Sequence, residues 1–366
     1  SAASDVYKRQ MYDHQLLKLV QSRHKVLLRV VLVFVVLLAF LNLGGTIQGY
    51  QNRQEYTMNP RDFAIMKKQY AKNHDTTFAN MSYSQYQEEQ KYLIAPQDKQ
   101  KLYAPSFTGL VMTIVSYAIP LLVGIAMAGV DQASGLNAAL FTSRFRRRQL
   151  FSVRYGYGLA YLLGATTIGI GITLLGFYAA VPAMYVGLSG ANIVGALLIN
   201  LAVNSFMFTV GIGVGTIFAS PFWMGVFGLF GTWFGMSAIE RFINSIRFYG
   251  PVKKSFWHTL IPSGNQLFWL LFIGAMLASV GGYFLIRWLF DRISLEHSGD
   301  VLLLPKLRWL ILAYALVVIP YTFDDWILQN RLISYVVSIG MVIGLGVWWQ
   351  RREHIGSKTS LKTKTV

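Results

Sequence analysis

Uncharged apolar runs of bilayer length leave this chain few ways to fold. Phe107–Val130, Gly156–Ala180, Ile193–Ala219 and Leu267–Ile286 contain no Asp, Glu, Lys, Arg or His. Crossing a hydrocarbon core takes roughly 20 such residues. A run surrounded by lipid must satisfy its own backbone N–H and C=O groups, which a helix does within one segment. The expected class is therefore all-α, a polytopic helical membrane protein. Composition agrees, with 54% hydrophobic and only 13% charged residues, where soluble domains carry about 25% charged. The net charge of +17 is spread beside the apolar runs rather than over one face. Positive-inside topology and anionic lipid explain it better than nucleic acid does. The absence of cysteine excludes disulfides and thiolate metal sites.

Taken in order, residues 1–10 read as a leader or remnant and Met11 as a plausible start. Residues 11–25 place Leu16, Leu17, Leu19 and Val20 among Lys18, Arg23, His24 and Lys25, as an amphipathic helix on the cytoplasmic face would. His14 and His24 are expected at the surface. Residues 26–45 form the first span, and no small-x-small cleavage site follows it. Residues 46–106 are polar and read as an external loop with helical pieces such as Pro60–Ala71. The second span, 107–130, holds Pro120 and should kink. Spans 156–180, 193–219, 222–239, 267–286, 307–321 and 332–349 follow. Gly211/Gly215 and Gly231/Gly235 are pairs of the kind that let helices approach. Residues 240–266 read as external despite Arg241, Arg247, Lys253 and Lys254. Residues 287–306 return to the cytoplasm, and the basic tail 350–366 stays there. The sum is about eight spans with both termini cytoplasmic.

Between the second and third spans lies 131–155, a loop with five arginines (Arg144, Arg146, Arg147, Arg148 and Arg154) against one acid, Asp131. Such a density of arginine marks the cytoplasmic side. Leu136, Ala139, Leu140 and Phe141 share one face of a short helix by their spacing. An interfacial helix of this kind can be pushed by a partner. It can also be an ordinary turn that only satisfies the charge bias.

An acid closing the second span, Gly four residues on, leucines, then Ser/Thr-x-x-Arg and another basic residue entering the third span resembles the ABC-2 type permeases, the membrane subunits of bacterial ATP-binding-cassette exporters. Asp131, Gly135, Leu140, Arg144, Arg148 and Arg154 match that pattern, while Gln132 and Leu136 depart from its commonest form. Arg292, Glu296 and Gly299 resemble a segment found after the sixth span in some members. The resemblance implies a six-span core over Met11–Glu296 with a C-terminal hairpin beside it, and a connecting helix at 11–25. It makes 131–155 the coupling-helix loop, docked on a separate ATPase dimer. Asp131, Gly135, Leu136, Leu140, Phe141, Arg144 and Arg148 would be its coupling residues. It also implies short helices dipping into the outer leaflet at 240–266, where Phe256, Trp257, Leu260 and Ile261 would suit them. The partners implied are that ATPase dimer, a second permease subunit and membrane lipid, in a bacterial cell membrane. Lipids, polysaccharides, peptides and drugs are cargoes of the family.

The chemistry of the runs fits a remote energy source. Spans without ionisable groups lack the usual mark of proton relays and ion coupling. They also lack the His or paired carboxylates of an intramembrane hydrolase. No Gly-x-x-x-x-Gly-Lys-Ser/Thr occurs, so ATP–Mg belongs to a partner, and this chain is expected to be non-catalytic and to need no cofactor of its own. Polar residues inside the spans are few. Asn200, Asn204 and Ser205 are candidates for a cargo path, or for hydrogen bonds between helices. Two other readings stay open. One is an ion-driven or stand-alone transporter. The other is a sensor or scaffold that works through residues 46–106.

Overall fold

The computed structural model describes residues 2–55, 57–72, 80–94, 114–142, 145–249, 265–293, 301–323, 333 and 335–347. Among these the fold is helical throughout. In chain order the elements are α1 Ala2–Glu55, α2 Pro60–Lys72, α3 Tyr83–Gln90, α4 Ile114–Ala133, α5 Leu136–Phe141, α6 Arg147–Ala180, α7 Ala183–Val186, α8 Gly190–Ile217, α9 Pro221–Tyr249, α10 Asn265–Asp291, α11 Arg308–Phe323 and α12 Tyr335–Val347. The segments His14–Glu55, Arg147–Ala180, Gly190–Ile217 and Phe268–Asp291 are long and apolar enough to cross a membrane. Two of them, α1 and α10, are mostly exposed along their apolar stretches. Val33, Phe34, Leu37 and Leu41 on α1 and Leu270, Leu277, Val280 and Phe284 on α10 are all open. Apolar patches of this extent are rare on soluble monomers.

Local signals set several helix starts. Asn59 accepts from the backbone of Arg61 and Asp62 ahead of Pro60, an N-cap followed by proline in the first turn. Ser82 with Gln85, and Ser189 with Asn192, form reciprocal capping boxes at α3 and α8. Pro221 opens α9 after a three-residue turn.

The central element is α8, which packs on α4 most extensively, then on α10, α6 and α9; α1 lies along α6, and α11 along α9. Glycine explains the α4–α8 contact. A Cβ on Gly124 would stand 2.5 Å from the Phe208 carbonyl and 2.6 Å from the Ile212 nitrogen, and one on Gly211 would collide with the Leu121 backbone. Backbone therefore touches backbone, as small residues allow in a membrane. Gly231 and Gly235 serve differently: the Tyr314 hydroxyl on α11 donates to the Gly231 carbonyl at 2.8 Å and occupies the space above Gly235.

Several boundaries differ from those the hydropathy suggested. The segments 11–25 and 26–45 are one uninterrupted helix that continues to Glu55. Leu16, Val20, His24, Leu28 and Val31 form its buried stripe, at the four- and three-residue spacing of one helix face. His24 is thus 1% exposed rather than a surface residue, while His14 is exposed. Helix α9 runs to Tyr249, so 240–249 is not a loop. Helix α6 begins at Arg147, which shortens the 131–155 loop and makes Arg148 and Arg154 helical. The expected helix at Pro60–Ala71 is present as α2. The dipping helices at 250–264 and the tail 350–366 lie outside the described residues, as do Glu296 and Gly299.

Candidate functional site

Asp131 sits in the last turn of α4, beyond the apolar run, and gathers charge from three helices. Its Oδ2 lies 2.7 Å from an Arg154 terminal nitrogen on α6 and 3.3 Å from His24 Nε2 on α1. Its Oδ1 lies 3.4 Å from Arg23 Nε. Asp131 and Arg154 are each only 2% exposed. One carboxylate thus faces two guanidinium groups and an imidazole. Burial pushes the Asp131 carboxyl up, but the His24 hydrogen bond, the Arg154 and His24 charges and the Arg23 hydrogen bond outweigh it and hold it below its ordinary range. Breaking such a pair by removing one partner leaves a buried, uncompensated charge.

The knot reaches the short helix α5. Arg154 also donates to Asn137 Oδ1 at 2.9 Å, and its guanidinium stands 5.6 Å from the centre of the Phe290 ring on α10. Arg23 donates to Ser134 Oγ and, at 3.5 Å, to the Val130 carbonyl. Gly135 precedes α5 with φ of 67°, a left-handed conformation that glycine adopts without strain. This turn lets α5 fold back beneath the bundle. Its apolar face points inward: Leu140 is buried, and Phe141 meets Phe290 edge-on with ring centres 5.5 Å apart. Leu136 is half-buried, whereas Ala133, Ser134, Gly135, Ala139 and Thr142 are exposed.

Basic residues after α5 fasten it to the end of α10. Arg147 donates to the carbonyls of Asp291 (3.3 Å) and Ile293 (2.8 Å), filling acceptors that a helix C-terminus leaves open. It also stands 4.2 Å over the Phe141 ring. Arg148 pairs with Asp291 at 2.9 Å on an exposed edge. Arg144 lies outside the described residues. At the same end Gln132 donates to the Ala219 carbonyl at 2.7 Å, while Ala219 N and Leu303 N bond to Val301 and Ile217. The turn between α8 and α9 is pinned from two sides.

Of the residues expected to couple, the structure brings Asp131, Gly135, Leu136, Leu140, Phe141 and Arg148 into one assembly. It adds Arg23, His24, Asn137 and Arg147, which the sequence had not singled out for this role. The stripe Leu16, Val20, Leu28 spaced around His24 was the available signal for the histidine. Of the polar residues within the spans, Asn200 and Asn204 share a cavity with Asn42 and Thr166. Ser205 stands apart from it and donates to the Leu201 carbonyl of its own helix at 2.7 Å. Among the described residues no three His, Asp or Glu side chains meet as a metal centre would need.

Compared with known proteins, the chain matches no family model, no curated protein and no solved structure.

Proposed function

We propose that this chain is the membrane permease of an ATP-binding-cassette exporter of the ABC-2 type, working in a bacterial cell membrane. In this reading it has about eight spans, both termini cytoplasmic, and a second permease subunit beside it. ATP–Mg is bound and hydrolysed by a separate ATPase dimer. The observation that carries the reading is α5: a six-residue helix slung between two spans by a left-handed glycine, tied to α6 and α10, with the turn before it held by Arg23 of α1. Force applied to its open face reaches α6 and α10 directly, and α1 through the turn at Ser134. Closure of the ATPase dimer would push α5, and the bundle would rock to open a path outward. The clustered arginines beside it accord with the inner leaflet.

The face available to a partner is the exposed one, at Ala139 and Thr142, and not the buried one at Leu140. The test is ATP turnover by the co-purified permease and its neighbour-encoded ATPase. Ala139→Glu with Thr142→Glu should abolish permease-dependent stimulation while the chain keeps its melting temperature. Unchanged assembly and turnover would remove α5 as the coupling element. Transport that persists without any ATPase would favour an ion-driven transporter instead.

A further inference from the structure

The cavity between α1, α4, α6 and α8 has an unusual demand. It holds about 80 Å³. A single water needs roughly 10–15 Å³ on the same measure, so one water does not fill it. Its walls are aliphatic apart from Asn42, Thr166, Asn200 and Asn204, and Pro120 and Gly169 bound it where α4 and α6 pass. No lining residue is ionisable.

The hydrogen bonds fix which way the two amides of α8 present themselves. Asn200 donates Nδ2 to the Ala196 carbonyl at 2.7 Å, and a carbonyl can only accept. The Thr166 hydroxyl gives its proton to the Leu162 carbonyl at 2.9 Å, so its oxygen must accept from Asn204 Nδ2 at 3.0 Å. Both amide nitrogens are thereby engaged. Both amide oxygens are acceptors that receive no hydrogen bond among the described residues. Polar acceptors in an apolar enclosure are stabilised by a donor. Ions are disfavoured here, because a charge without a counter-charge at this depth is expensive.

We infer that this cavity binds the hydroxyl end of an uncharged, lipid-like alcohol, whose single O–H donates to one of the two oxygens, Asn200 or Asn204, while its alkyl chain leaves through the open side into the bilayer. The inference goes beyond export and does not depend on it, since binding is measured on the chain without any ATPase.

The probe is a sixteen-carbon alkanol with a diazirine beside the hydroxyl carbon, presented to the chain in lipid nanodiscs and read by peptide mass spectrometry. Label should concentrate on the α6 and α8 peptides around Thr166–Ile170 and Asn200–Asn204. Replacing the hydroxyl by a methyl ether removes the donor, and losing one such bond should lower that label about fivefold. Asn200→Leu with Asn204→Leu should do the same with the alkanol. The matching carboxylate should label poorly. Equal labelling by alkanol and ether would overturn the inference and leave the cavity to water. Label spread evenly over the outer faces of α1 and α10 would overturn it as well. The ether comparison uses the unaltered protein, so it decides even where the double variant fails to fold.

Discussion

The Asp131 end of the bundle and the middle of α8 solve the problem of buried polarity in opposite ways. At the first, a single carboxylate is crowded by Arg154, His24 and Arg23, and the surplus of donors is spent on α5 through Asn137 and on the turn before it through Ser134. In the middle of α8 there are only neutral amides, with a surplus of acceptors and nothing charged nearby. The first arrangement is strong, specific and geometrically fixed, as charge-assisted bonds are. The second is weak and easily exchanged for a ligand.

That contrast can be attacked by substitution. The largest loss should come from Arg154→Leu, which strands Asp131 in the knot at about 3–5 kcal/mol; Arg154→Leu with Asp131→Leu should recover much of it. Thermal unfolding in detergent measures both, and equal losses would mean that the pair does not act as a unit. Gly124→Val forces α4 away from the α8 backbone and should cost about 1–3 kcal/mol. If its melting temperature matches wild type, the close helix approach is not a feature of the protein. A third effect follows from acidity. Because the folded-state carboxyl of Asp131 is depressed, its contribution is fully present above the unfolded value of about 4 and is lost as pH falls through the lower folded value. Stability of wild type should therefore fall more steeply than that of Asp131→Asn below about pH 4. Parallel profiles would contradict the knot. The smallest effect should be at the cavity: Thr166→Val removes the partner of Asn204 and should cost only about 0.6 kcal/mol.

How much of this could be read in advance depended on the range of the interaction. The apolar runs located the helices, because span length is a local property. They misplaced helix ends, because hydropathy reports where a helix meets lipid and not where its hydrogen bonding stops. Helix α1 continues ten residues beyond the expected end of its span at Gly45, and α9 ten beyond Ile239. Asp131 was conspicuous as the lone acid among arginines. Its partner Arg154 lay nearby in sequence, but Arg23 and His24 lie 108 and 107 residues away, a distance at which no pattern speaks. The inward aim of Leu140 was not legible either, since an amphipathic face does not announce whether it meets its own bundle or another protein.

Helix α1 touches both ends of the molecule. Near its middle His24 grips the ionic knot, and near its finish Tyr50, Arg53 and Gln54 donate to the carbonyls of Lys91, Leu93 and Gln90, at the end of α3 and just past it. The stretch His14–Glu55 has 42 residues, which at 1.5 Å each makes a rod of about 63 Å, longer than a bilayer with its headgroups, about 40–45 Å. Leu93 N also bonds to the Tyr185 carbonyl at 2.8 Å, in the turn between α6 and α8. Any tilt imposed at His24 must therefore be answered at Tyr50–Gln54, like a rocker arm fixed to a cap, without passing through the cavity between them.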